Sequence, residues 1–199
     1  MKILIVSGFL GAGKTTFIKR LARNVDQRFA ILENEYGAAG IDGARLGQNR
    51  QGTQKNVWEM TEQCICCIGK KDFAASVLTI ANVVDPEYLI VEPTGVGSLA
   101  RIIENLRQIE YERIQLLSPV TIVDVYSYRR YMAEYPELYQ DQIRSADTII
   151  VSKTEACQAE EKQRIQKFLQ EINPQAKIIT DYASTMTRKI PEPAAGRPI

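Results

Sequence analysis

The chain has 199 residues, 45% of them hydrophobic and 25% charged, with 25 Lys and Arg against 24 Asp and Glu. That composition fits one soluble globular domain with a sizeable core, and a net charge of +1 gives no basic footprint for nucleic acid or an anionic membrane. Histidine is absent, which excludes His-based triads, His metal ligands and imidazole acid–base catalysis.

The opening Lys2-Ile3-Leu4-Ile5-Val6 has the look of a signal peptide. Gly8, Gly11 and Gly13 break the apolar stretch, which ends at Lys14-Thr15-Thr16 with no small-residue cleavage site. Residues 3–7 instead predict a strand. Phe17, Ile18, Leu21 and Ala22 have helical spacing and predict a helix over 14–24. A second strand is expected at 28–33. The Gly-, Asn- and Gln-rich stretch 34–56 reads as a long loop, and 57–60 (VWEM) as a short strand leading into three cysteines.

Phe73, Val77, Leu78 and Ala81 suit a helix, and Tyr88 to Val91 a buried strand ending at Glu92. An amphipathic segment over 98–110 precedes the apolar strand 119–124. Residues 126–146 read as helix interrupted near Pro136, then 147–152 as strand, 156–171 as helix and 176–180 as strand. The stretch 182–199 holds three of the eight prolines and reads as a tail or linker. Apolar strands separated by helix-length segments predict an α/β fold, with a mostly parallel sheet and helices on both faces. In such sheets ligands bind beyond the carboxyl ends of the strands. No span of about 20 apolar residues, as a membrane helix needs, is present.

The run Gly8-Phe-Leu-Gly11-Ala12-Gly13-Lys14-Thr15-Thr16 matches G-x-x-x-x-G-K-[ST]. It follows a predicted strand and opens a predicted helix, as a phosphate-binding loop must. The glycines let backbone N–H groups converge on phosphate oxygens, and the helix N-terminus adds partial positive charge. Lys14 is expected to reach the β- and γ-phosphates, and the Thr15 hydroxyl to ligate magnesium.

Cys64, Cys66 and Cys67 lie within four residues, and Cys157 stands apart. A closed structural zinc site uses four ligands, usually two separated Cys pairs, and neither a second pair nor a histidine is present. Three thiolates, or two with a carboxylate, leave a labile position better suited to transfer than to stapling. Soft sulfur favours zinc, Cu(I) or iron–sulfur chemistry, with cobalt also admissible. Core packing of free thiols and thiol redox chemistry are the alternatives, and core packing is the expected role of Cys157. Trp58 and the tyrosines read as ordinary core or surface aromatics.

The segments SGFLGAGKTT, ENEYGAAGID, CICC, VEPTG, IVDV and SKTE occur in the order and spacing of the CobW-like GTPases. Over residues 2–181 the chain resembles that family, which belongs with the nickel-inserting accessory GTPases of urease and hydrogenase maturation. The resemblance implies a P-loop NTPase of the SIMIBI type. It implies a cytoplasmic, magnesium-dependent, slow GTPase that binds zinc or cobalt and delivers it to a client metalloprotein, with room for a homo-oligomer. It also implies that the family's C-terminal domain is absent: 1–181 is the GTPase domain and 182–199 a tail or linker remnant.

Residue by residue, the resemblance places Glu92 beside magnesium and Gly95 where backbone meets the γ-phosphate. Asp42 falls in the first switch, as the carboxylate that orients the attacking water. Asp124 occupies a family position without an assigned role. Ser152-Lys153-Thr154-Glu155 stands where the family has Asn-Lys-x-Asp. Glu155 keeps an acceptor for the guanine edge, and the Lys153 stem is expected to pack on the base. Ser152 cannot supply the amide's bonds, so GTP is expected to be preferred over ATP with weakened strictness. The resemblance also implies that Glu35 adds an oxygen ligand beside the cysteines, whereas Ala38 replaces a further family Glu. Two other readings share the phosphate loop: a small-molecule kinase, and a nucleotide-gated metal sensor or store.

Overall fold

A computed structural model of the chain describes residues 1–24, 28–33, 57–61 and 70–181. Its elements run β1 (Lys2–Ser7), α1 (Lys14–Asn24), β2 (Phe29–Glu33), β3 (Val57–Thr61), α2 (Lys70–Val83), β4 (Tyr88–Glu92) and α3 (Leu99–Arg107). They continue with β5 (Gln115–Leu116), β6 (Val120–Asp124), α4 (Tyr128–Glu134), α5 (Pro136–Arg144), β7 (Thr148–Ser152), α6 (Ala159–Ile172) and β8 (Lys177–Ile179).

The strands form one sheet in the order β3-β2-β4-β1-β6-β7-β8, and every pairing is parallel. β1 is shared. Lys2 to Ile5 pair with β4 on one side, while β5 meets Lys2 and Ile3 and β6 meets Val6 and Ser7 on the other. Alternation along β1 sends its residues to two cores. Ile3 and Ile5 join Phe73, Val77 and Ile80 of α2 and Leu99, Ile102 and Leu106 of α3. Leu4 and Val6 join Phe17, Ile18 and Leu21 of α1. A third cluster packs Val123, Ile149 and Val151 under Tyr139 and Ile143 of α5 and Ile165 and Leu169 of α6. The mostly parallel α/β fold expected from the alternating pattern is the fold observed.

Local chemistry sets several boundaries. Ser98 caps α3 by accepting from the Arg101 N–H at 3.3 Å. Pro136 opens α5 at its first turn, where a missing N–H costs nothing, and so divides the expected 126–146 helix in two. α6 starts at Ala159 rather than 156. Cys157 therefore lies in the preceding turn, its N–H donating to the Thr154 carbonyl at 3.2 Å, half-buried against the third cluster. β5 was not expected. Its two residues are too few to show a period of two, and only pairing with β1 defines them. The loop 34–56 and the tail 182–199, with the domain boundary drawn at 181, lie outside the described residues. Among the described residues no helix is long and apolar enough to cross a membrane.

Candidate functional site

Because the sheet is parallel, its strands discharge at one edge. Ser7, Glu92, Asp124 and Ser152 end β1, β4, β6 and β7, and Asp124 is in register with Ser152. Residues 8–13 turn from β1 into α1 along this edge. The turn needs its glycines. Gly8, Gly11 and Gly13 have φ of 142°, 74° and 102°, a region that L side chains rarely enter. A Cβ on Gly8 would also lie 2.4 Å from the Ile122 carbonyl oxygen of β6. The Ala12 N–H closes the turn onto the Phe9 carbonyl at 3.1 Å. α1 has no acidic residue in its first turn, so its positive end is left for an external anion.

Lys14, Thr15 and Glu92 meet at this point. Lys14 Nζ lies 3.5 Å from the Phe9 carbonyl oxygen and 3.9 Å from Glu92 Oε1. Thr15 Oγ1 donates to the same Glu92 oxygen at 3.3 Å. Lys14 is buried and Glu92 half-buried. A hydroxyl and a carboxylate at one spot form the hard-oxygen pair that magnesium takes, so the donor chemistry fits the ion. Thr16, by contrast, is exposed. Gly95 lies against the phosphate loop itself: a Cβ there would come within 2.7 Å of the Leu10 nitrogen.

The base-motif candidates flank the other side. Ser152 Oγ donates to the Ala12 carbonyl at 2.6 Å, so Ser152 ties β7 to the phosphate loop. Lys153 adopts a left-handed φ of 61°, strained for a non-glycine residue. Its Nζ donates to Asp124 Oδ2 at 2.6 Å. The Tyr126 N–H donates to Asp124 Oδ1 at 2.9 Å. Glu155 is exposed. Burial pushes the Asp124 carboxyl upward, but the Lys153 ammonium and the Tyr126 and Ser127 donors outweigh it and hold the pKa below its ordinary 3.8. A carboxylate lowered in the folded state adds stability above its unfolded pKa and loses it as pH falls through the folded value. Asp124→Asn should therefore lower the melting temperature at pH 6. The gap from wild type should close as pH drops below the ordinary carboxylate range, read by thermal unfolding across pH.

Aromatic packing was missed in the sequence. Phe9, the second residue of the phosphate loop, is buried against Tyr131 and Tyr139 with ring centroids 4.7 and 5.0 Å away. The Tyr131 hydroxyl donates to the Leu10 carbonyl at 3.0 Å. The position of Phe9 in the motif is unspecified, so no sequence signal marked it as an anchor. Glu35, Asp42, Cys64, Cys66 and Cys67 lie outside the described residues.

The family model described as CobW/HypB/UreG, nucleotide-binding domain, matches residues 2–180. The chain is 31% identical over 170 residues to zinc chaperone YeiR of Escherichia coli, covering 84% of this chain and 51% of that protein. It is 27% identical over 194 residues to zinc chaperone CobW of Pseudomonas aeruginosa, covering 83% and 52%. The chain thus spans about half the length of these curated relatives. In structure it resembles Zn(II)-bound YjiA GTPase from E. coli, with a TM-score of 0.68 at 23% identity over 92% of this chain and 58% of that one. It also resembles HypB from Helicobacter pylori in complex with nickel, with a TM-score of 0.59 at 18% identity over 88% and 76%. At those identities the likeness is one of fold.

Proposed function

Since the chain belongs to the CobW/HypB/UreG nucleotide-binding family, we propose that it is the GTP-binding and GTP-hydrolysing domain of a protein that carries a transition metal to a client. The meeting of Lys14, Thr15 and Glu92 beneath the glycine turn is the observation that carries this reading. The turn's amides and the Lys14 ammonium hold the triphosphate and offset the charge that spreads over its transferring group. Thr15 and Glu92 would hold magnesium, which supplies further neutralisation of the phosphate oxygens when bound. With no histidine in the chain, Asp42 is the carboxylate assigned to orient water. Glu155 is assigned to the guanine edge, and turnover is slow without a partner.

Cys64, Cys66, Cys67 and Glu35 are assigned to the cargo. The names of the relatives, zinc chaperones, favour zinc over cobalt. Thiolate ligands of this kind suit the reducing cytoplasm. Glu35 and Asp42 belong to one ten-residue segment, ENEYGAAGID, which offers a short covalent link from a nucleotide at Asp42 to a metal at Glu35. GTP then tightens the metal site and hydrolysis loosens it.

Zinc affinity, measured by chelator competition under reducing conditions, should differ by roughly 5- to 150-fold between GDP and a non-hydrolysable GTP analogue. The Cys66→Ser/Cys67→Ser double variant should bind zinc at least ~10-fold more weakly with nucleotide affinity nearly unchanged. Equal zinc affinity in the two nucleotide states would remove the switch, and wild-type zinc affinity in the double variant would remove the cysteine site.

A further inference from the structure

Two neighbouring residues of α5 grip the segment that follows β4. Asp141 Oδ2 accepts from the Leu99 N–H at 2.7 Å and the Ala100 N–H at 3.4 Å, at the start of α3. Gln142 Nε2 donates to the carbonyls of Gly95 and Gly97 at 3.0 and 3.1 Å. Gln142 is 1% exposed. Its own carbonyl accepts from Thr121 Oγ1 at 2.9 Å, which fixes its backbone to β6. The bridged carbonyls straddle Val96, the exposed tip of the segment. A trans peptide directs its N–H opposite to its C=O, so anchoring these two carbonyls turns the Val96 and Ser98 N–H groups away from Gln142. The same anchor sets ψ of Gly95, whose α-carbon lies against the phosphate loop.

The Gln142 amide is satisfied on one side only. Oε1 is buried and, among the described residues, meets no hydrogen-bond donor. A buried acceptor without a donor disfavours the arrangement that leaves it so. Turning one of the bridged peptides would present an N–H to Oε1 in place of a carbonyl to Nε2. The side chain can therefore serve two conformations of the segment, with donor in one and acceptor in the other.

We propose that Gln142 is a positioning residue for the terminal phosphate: its amide sets the peptide orientations of residues 95–98 and so links nucleotide state to α5. The inference rests on the GTPase reading above, and it assigns no contact between Gln142 and the nucleotide. Gln142→Met removes both donor and acceptor, whereas the near-isosteric Gln142→Glu removes only the donor.

The variants should bind GDP within about twofold of wild type. They should lose at least ~5-fold in affinity for a non-hydrolysable GTP analogue, the lower bound of ordinary coupling between sites, and kcat should fall with it. A merely structural role would lower GDP and GTP-analogue affinity together, in step with the melting temperature. That outcome, or an unchanged ratio of the two affinities, overturns the inference. Hydrogen exchange on the wild-type chain needs no variant: the Val96 and Ser98 amides should differ in protection between GDP and GTP-analogue states. Identical protection also overturns the inference. Failure of the wild-type chain to bind either nucleotide would instead overturn the functional reading.

Discussion

Lys14→Ala should lower kcat/KM for GTP by roughly 10²- to 10³-fold, the usual cost of removing one preorganised donor from a site where charge develops. The argument rests on where the ammonium sits. Nζ is held 3.5 Å from the Phe9 carbonyl and 3.9 Å from Glu92 at the mouth of the glycine turn, and the turn has no other basic residue. Affinity for the triphosphate should fall more than affinity for the diphosphate, because the lysine is assigned to the outer phosphates. Lys14→Met, which retains the apolar stem, should lose activity to a similar degree with a smaller change in melting temperature. Fluorescent-nucleotide titration and steady-state phosphate release measure both effects. Undiminished turnover in a folded variant would remove the phosphate-loop assignment.

Gly8→Ala should be among the most destabilising single changes in the chain. Two independent penalties coincide there. A φ of 142° is strained for any L side chain, and the added methyl would lie 2.4 Å from a main-chain oxygen of β6, which cannot yield as a flexible side chain would. Strain and overpacking together cost about 3 kcal/mol, a loss of roughly 6–12 °C in melting temperature for a chain of this size. Gly11→Ala is the control. It shares the positive φ, at 74°, but a Cβ there meets nothing within 4 Å, so its loss should be the smaller. Differential scanning calorimetry separates the two, and equal losses would show that the approach to Ile122 does not matter.

The contrast between Gly8 and Gly11 also shows what sequence could and could not say. The glycine turn was legible because a phosphate loop is local: strand, turn and helix are contiguous, and each leaves its own pattern in the residues. The helix over 14–24 and the strand ending at Glu92 were legible for the same reason. What each glycine abuts was not, since Ile122 lies on a strand more than a hundred residues away. A contact of Ser152 was hidden in a similar way. Compared with an asparagine, it looked like a lost base contact. In the fold it holds the Ala12 carbonyl, a contact that exists only once β7 lies near β1. Asp124, with no role assigned in sequence, proves to be the acceptor that holds Lys153. Gln142 left no trace at all, because a polar residue on a helix between Asp141 and Ile143 looks solvent-facing until α5 is docked. The reading of the cysteines and of Glu35 and Asp42 stands on pattern alone.

The bond between Ser152 and Ala12 spans 140 positions, and β1 is flanked only by strands formed much later in the chain. During synthesis, β1 and its loop therefore wait for β6 and β7 before they can take the form described here. At 5–20 residues per second, that wait lasts roughly 7–30 s, and parallel pairings of such separation are slow to form in any case. A nucleotide bound across this edge cannot template the pocket before β7 has emerged, because Ser152 and Lys153 belong to it. Its effect falls on the finished domain, where ligand binding favours the closed sheet by mass action and slows its reopening more than it speeds its making. The nascent N-terminal third meanwhile carries an unpaired, strongly apolar strand, and this is the interval in which the chain is most exposed to misassociation.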